Sequence, residues 1–342
     1  MSQGEDELLA WLRSRPGTEL LGDDAARLPA EPGKVWIATT DSQIAGVHVP
    51  PELDPALLAR RLLRVNLSDL AASGAQPAYA LVAVSAPPGF AHRRFFDALL
   101  AACAEAGVRL AGGDLARSPV LTLTLTLLGT RPEDAPVLSR KGARPGDALW
   151  AGATLGESAA GLRLLARGAR AVPSVRGPRV TLPAELRRPR SLAEAARRAV
   201  VRHLEPRPQL ELGAWLGSRE RAAAIDLSDG LARDLPRLAR ESGAGAEVEA
   251  EALPLAAGFE TLCAALAEQP LALALGGGED YALLFALPEG EAPPGRFDCR
   301  RIGRVTESER LVFIRSGRRE LWPETGWDHL QHPLLPRSLS RP

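Results

Sequence analysis

Six short segments of the chain place acidic residues beside glycine, serine or threonine: Gly22-Asp23-Asp24, Thr39-Thr40-Asp41, Asn66-Leu67-Ser68-Asp69, Gly112-Gly113-Asp114, Ile225-Asp226-Leu227-Ser228-Asp229-Gly230 and Gly276-Gly277-Gly278-Glu279-Asp280-Tyr281. Each reads as the end of an apolar, strand-like run. One such segment alone is an ordinary turn or a helix cap, since Asp, Ser and Gly serve both purposes. Six in one chain exceed what turns require. Carboxylates gathered at one place repel each other and raise their own pKa values unless cations lie between them. Hard oxygen donors of this kind suit Mg²⁺, which binds through a few carboxylates together with substrate phosphates. The neighbouring glycines let backbone N–H groups approach phosphate oxygens closely. The chain has no GxxxxGK[ST] segment and neither the HRD nor the DFG motif, so the chemistry these residues point to is a metal–nucleotide site built without a P-loop.

Positioning these segments requires strands and helices on either side of them. Residues 34–40 read as a strand running into Asp41. Asp54-Pro55 signals a helix start, and Leu57, Leu58, Leu62 and Val65 mark its buried face before it decays into the Asn66–Asp69 segment. Residues 121–127 alternate Leu and Thr with a period of two, which specifies a half-buried strand. Further strands are expected at 79–85, 108–111, 147–153, 222–226, 245–249, 281–287, 300–305 and 311–315, and helices at 6–14, 91–106, 191–203 and 208–217, with others after Gly156 and Gly230. Residues 166–190, rich in Arg, Pro and Gly and without periodicity, read as a flexible loop. Each half mixes strands and helices, so the expected fold class is α+β, with two domains at 1–140 and 145–330.

A length of 342 residues suits two cores better than one. Arg and Lys (42) balance Asp and Glu (42), so no net field draws the chain to nucleic acid or to an acidic membrane. No apolar run approaches the ~18 residues of a membrane span. Cys103, Cys263 and Cys299 are scattered and suggest neither disulfides nor a zinc site. The acidic, amphipathic start is unlike a signal peptide, and the expectation is a cytoplasmic protein.

In order, GDDAA, TTD…GVH, NLSDLAASGA, GGD…RSP, RKGARPGD, TLGESAAGL, IDLSDGLARDL, GGGEDYALLF and GWDH resemble the thiamine-monophosphate kinases, a family of the aminoimidazole-ribonucleotide-synthetase superfamily. The resemblance runs from about residue 20 to about residue 330. It implies an N-terminal mixed α/β domain whose sheet pairs in a homodimer and a C-terminal α/β-sandwich domain. It also implies Mg²⁺ as several ions, ATP as co-substrate and thiamine monophosphate as acceptor. Carried onto this sequence, the metal ligands are Asp24, Thr39, Thr40, Asp41, Asp69, Asp114, Asp226 and Asp229. Nucleotide contacts fall to Gly113, Asp114, Arg140 and Ser228, and acceptor contacts to His48, Glu279 and Trp327. Chemically, a carboxylate can accept from an aminopyrimidine, and an aromatic face suits a flat cation.

The sequence departs from the family pattern in two places. Leu115-Ala116-Arg117 follow Asp114 where the family more often carries hydroxyl residues, and Ala45 and Val49 stand where it often has an acidic residue and a Phe. Rival superfamily members fit less well. A selenophosphate synthetase would carry a reactive Cys near its N-terminus, whereas the first Cys here is Cys103. An aminoimidazole ribonucleotide synthetase would carry a DGVGTK-like segment, and a hydrogenase-maturation relative a C-terminal Cys. The expected reaction is direct phosphoryl transfer. A phosphate monoester, with a second pKa near ~6, is already a dianionic nucleophile and needs no general base.

Overall fold

The computed structural model describes residues 4–22, 25–29 and 31–327. Helix α1 (Glu5–Arg13) leads to strand β1 (Lys34–Ile44), helix α2 (Pro55–Ala72), β2 (Gln76–Ala86), α3 (His92–Glu105), β3 (Arg109–Arg117) and β4 (Thr122–Pro132). The four strands form one sheet in the order β1-β4-β2-β3, with β2 and β3 parallel and the other pairs antiparallel. The period of two in β4 decides its faces. Leu123, Leu125 and Leu127 are fully buried in the core shared with α2 and α3, while Thr122, Thr124 and Thr126 lie on the opposite, open face. Trp36 on β1 and Leu81 on β2 remain 37% and 36% exposed.

The second half comprises β5 (Ala148–Ala151), α4 (Glu157–Ala166), β6 (Arg170–Val172), β7 (Arg179–Thr181), α5 (Arg190–Leu204), α6 (Leu210–Leu216), β8 (Ala223–Asp226), α7 (Leu231–Ser242) and β9 (Gly245–Glu249). It continues with α8 (Phe259–Leu266), α9 (Pro270–Gly276), β10 (Leu283–Leu287), β11 (Arg300–Thr306), β12 (Leu311–Arg315) and β13 (Arg318–Leu321). Its main sheet has the order β13-β12-β9-β11-β5-β10-β8. Every residue of β10 is buried, because a helical layer covers each face of this sheet. One layer packs α7 and α9 against it, and the other packs α6 and Ala71 of α2.

Helix α2 therefore touches both sheets, contacting β1 and β4 on one side and β8 and α6 on the other. Asp54 caps it by accepting from the Ala56 amide at 2.9 Å, with Pro55 at the first helical position. Three sequence expectations change. Asn66–Asp69 do not follow the helix but lie inside α2, which runs on to Ala72 because Leu67, Leu70 and Ala71 continue its buried face. Gly112–Asp114 lie within β3 rather than at its end, as the parallel pairing with β2 extends to Arg117. Residues 166–190 are not a featureless loop: β6 and β7 form a hairpin there. Ala169, Leu182 and Leu186 are buried beneath the hairpin region, and Ser174 Oγ donates to the Gly177 carbonyl at 2.5 Å across its turn. Three buried apolar side chains pin a hairpin too short to leave a periodic signature. Among the described residues no helix is long and apolar enough to cross a membrane.

Candidate active site

Because α2 is wedged between the sheets, its last turns carry side chains toward both. Asp69 accepts from Thr39 Oγ1 on β1 at 2.5 Å, and Ser68 donates to Asp226 Oδ2 at the end of β8 at 2.9 Å. A cleft of about 460 Å³ opens between the sheets, with Thr39, Asp69, Asp226, Arg140 and Lys141 among its lining residues. The β1–β4 register places Asp41 opposite Leu125 and Thr39 opposite Leu127, so both side chains share the helix-covered face with Asp69.

The electrostatics of this cluster are adverse. Burial pushes Asp41 up to about 7, and the carboxylates of Asp69, Asp229 and Glu279 add to the shift. Asp69 is raised by burial against the opposing effects of the Thr39 bond and Arg140. Asp226, 5% exposed, is held well above the carboxylate range by burial first, then by Asp69, Asp234 and Asp41. Among the described residues no three His, Cys, Asp or Glu side chains form a closed metal cage. The donors are nonetheless hydroxyl and carboxylate oxygens that destabilise one another without a cation, and they fit a hard divalent ion that keeps some of its water.

The loop between β8 and α7 is fixed by a second carboxylate that the sequence did not single out. Asp234 accepts from the Asp229 amide at 3.0 Å and from Arg237 at 2.6 Å; burial and the nearby Asp229 push it up to about 7. The Asp229 carboxylate pairs with Arg237 at 2.6 Å, and its carbonyl accepts from the Trp327 amide at 3.0 Å. Residues 276–281 lie against the same loop. The Glu279 amide donates to the Ser228 carbonyl at 2.7 Å and the Tyr281 amide to that of Leu227 at 2.9 Å. Gly278 has φ +68°, and a Cβ there would sit 2.8 Å from the Ser228 carbonyl oxygen, so the contact requires glycine. Asp280 turns inward and caps α4 by accepting from the Gly156 amide at 2.8 Å. His48 lies in the turn after β1, where its Nδ1 accepts from the Ile44 amide at 3.0 Å.

The structure thus brings Thr39, Asp41, Asp69, Asp226 and Asp229 to one region, with Arg140 on the cleft wall and Ser228 and Glu279 in the adjoining loops. It does not bring every expected residue there. Thr40 alternates to the open face, where its hydroxyl meets Thr126 Oγ1 at 3.1 Å, so as a side-chain ligand it is turned away from Asp41. Gly113 and Asp114 lie on β3, the far edge of the sheet, in the row Asp41–Leu125–Val82–Gly113. Three strand spacings put that edge about 14 Å from β1. Asp114 is exposed in register with Ala83, on the same open face as Thr40. A Cβ on Gly113 would lie 1.9 Å from the Val82 carbonyl oxygen, which accounts for a glycine at that strand position. Asp24 lies outside the described residues. Besides Asp234, sequence reasoning missed Arg61 and His203, both fully buried beside Glu279. The signal for Arg61 was available: a charge on the apolar stripe of α2, between Leu58 and Leu62.

Residues 22–130 match the family model for the N-terminal domain of AIR synthase related proteins. The chain is 36% identical to a thiamine-monophosphate kinase of Salmonella typhimurium, over 92% of both proteins. The structure of AaThiL complexed with AMPPCP and TMP is 28% identical, covers 95% of this chain and 97% of its own, and superposes with a TM-score of 0.74. A thiamine-monophosphate kinase crystal structure from Stenotrophomonas maltophilia is 32% identical, covers 94% and 99%, and has the same TM-score of 0.74. Likeness at this level spans both sheets and the acidic cleft between them, and by it the chain belongs to the thiamine-monophosphate kinase family.

Proposed function

We propose that this kinase moves the γ-phosphoryl group of ATP onto the phosphate of thiamine monophosphate, by direct in-line transfer with Mg²⁺ bound. One observation carries the reading: the Thr39–Asp69 and Ser68–Asp226 bonds tie the α2 carboxylate of Asp69 to the first sheet and α2 to the β8 carboxylate of Asp226, so both carboxylates line a single cleft beside Arg140. The family likeness along nearly the whole chain supports the same acceptor, as does the AaThiL complex with AMPPCP and TMP.

Thr39, Asp41, Asp69, Asp226 and Asp229 would hold the ions, joined by Asp24, Asp114 and the main chain of Thr40. Bound there, Mg²⁺ supplies positive charge against two polyanions that otherwise repel. Arg140 binds phosphate oxygens from the cleft wall, and Ser228, Gly113 and Asp114 contact the nucleotide. His48 touches the acceptor phosphate, while Glu279 and Trp327 hold its heterocyclic part. The acceptor phosphate attacks as a dianion, so the protein's task is orientation and charge neutralisation, with no phosphoenzyme. We also keep the division into domains at 1–140 and 145–330, a cytoplasmic location and a homodimer formed through the open face of the β1–β4–β2–β3 sheet as parts of this proposal.

The test is ATP consumption with Mg²⁺ and thiamine monophosphate, with products identified by mass. Thiamine diphosphate with ADP is the expected result. ADP without thiamine diphosphate would overturn the acceptor, and a covalent phospho-residue trapped during turnover would overturn direct transfer.

A further inference from the structure

Arg61 lies on the buried face of α2 with no exposed surface. A guanidinium removed from water is costly unless its donors are met and its charge is paired. Its Nε donates to Gln43 Oε1 on β1 at 3.0 Å, one terminal nitrogen donates to the His203 carbonyl of α5, and the other donates to Glu279 Oε1 at 2.5 Å. The guanidinium also lies 6.0 Å from the centre of the Tyr281 ring. On its other side the Glu279 carboxylate has Oε2 3.4 Å from His203 Nδ1, which is itself 3.2 Å from Ser158 Oγ. Arg61 of α2 and His203 of α5 therefore reach one carboxylate from two elements, and β1 and α4 hold those two side chains in turn through Gln43 and Ser158.

A group whose only role was to staple α2 to the second half could satisfy itself with main-chain carbonyls. Here one arm is committed instead to a side chain that keeps 19% of its surface, on a residue with φ +58°. A left-handed, non-glycine backbone is costly and persists only where its surroundings hold it. Tyr281, two residues on, has φ +49° as well. We infer that Arg61 is a positioning residue of the acceptor site: buried and out of the acceptor's reach, it fixes the Glu279 carboxylate in one orientation so that a nitrogen heterocycle meets a preformed acceptor group. The inference rests on the reading of Glu279 as an acceptor-binding residue.

A double-mutant cycle measured by steady-state kinetics tests it, using Arg61→Met, Arg61→Lys, Glu279→Gln and the pairs, with thiamine monophosphate and ATP varied in turn. Arg61→Met is expected to raise KM for thiamine monophosphate by about 10-fold, with kcat and KM for ATP changed less than about 3-fold. Arg61→Lys, which keeps the charge but loses the fork, should fall between Met and the parent. In the Glu279→Gln background, Arg61→Met should add less than about 2-fold, because its route to the acceptor is already cut. Equal effects in both backgrounds, or a joint loss in kcat and both KM values, would overturn the inference by making Arg61 a packing residue. If Glu279→Gln raises KM for the acceptor while neither Arg61 variant does, the inference alone fails. If Glu279→Gln leaves that KM unchanged, the reading of Glu279 fails and the inference with it. Should Arg61→Met not fold, Arg61→Lys and Arg61→Lys/Glu279→Gln complete the same cycle.

Discussion

At Asp226 burial and function pull in opposite directions. The carboxylate is buried, accepts from Ser68, and is held well above its ordinary range by burial and by Asp69, Asp234 and Asp41. Its charge is therefore a cost to the metal-free fold. Asp226→Asn keeps an acceptor for Ser68 and removes the repulsion. It should raise the melting temperature in EDTA by about 1–2 °C, near 1 kcal/mol for a chain of this size. The same change should lower kcat by about 100-fold or more if Asp226 is a metal ligand. Calorimetry beside an activity assay checks both, and a lower melting temperature would mean that the carboxylate serves folding. Much of this cluster was legible in the sequence, because aspartates beside hydroxyls and glycines form short local patterns. The roles of Arg61 and His203 were not, because both act on a partner far away in the chain: Arg61 meets Glu279 across 218 residues. Asp234 has local partners, the Asp229 amide and Arg237, and an acidic residue in a first helical turn reads as ordinary. The facing of Thr40 follows from a simpler rule: adjacent strand residues point to opposite faces, so Thr39 and Thr40 cannot both present hydroxyls to Asp69.

Among the elements, α4 depends on a residue from outside itself. Its N-terminal amides at Gly156 and Ser158 donate to Asp280, a side chain 2% exposed. Burial pushes Asp280 up to about 7 from 3.8, against the amides and Arg202. The folded state thus holds this proton where the unfolded chain has released it. The stability it contributes is complete below about 3.8 and is lost as the pH rises through about 7. The metal-free protein should melt at a lower temperature at pH 8 than at pH 6, and Asp280→Asn should flatten that slope. An unchanged slope in the variant would assign the effect to Asp41 and Asp234, which are shifted the same way. The elements themselves were legible in proportion to their period. The Leu/Thr alternation decided the faces of β4, although the strand runs on past it to Pro132, and the Asp54-Pro55 start of α2 was explicit. The β6–β7 hairpin, with strands of three residues each, is too short to carry a period. Helices α8 and α9 lie in alanine- and leucine-rich stretches with few polar residues to mark a face.

For the whole molecule, the open face of the first sheet is the unfinished part. Trp36, Leu81 and the β4 threonines lie on it, and Thr40, Thr126, Leu81 and Gly112 form one row across its four strands. Four strands of nine to eleven residues present roughly 19 by 33 Å, or about 630 Å² in projection. That footprint approaches the ~800 Å² per partner of a standard interface once side-chain relief is added. A net charge of zero leaves no long-range repulsion between two copies. Asp114 and Thr40 lie on this face, so a second copy covering it would surround two of the residues that the cleft leaves out. Sedimentation equilibrium should accordingly report twice the 36.3 kDa chain mass. Leu81→Arg places a charge in the middle of the row and should convert the protein to a monomer, with its circular dichroism unchanged because the side chain is exposed in the single chain. If the pairing also completes the nucleotide site, that monomer should lose activity with its KM for ATP raised by about 10-fold or more, while KM for thiamine monophosphate moves less. A Leu81→Arg protein that still sediments at twice the chain mass would place the interface on another surface. A monomer with full activity would place the whole site within one chain, and Asp114 outside it.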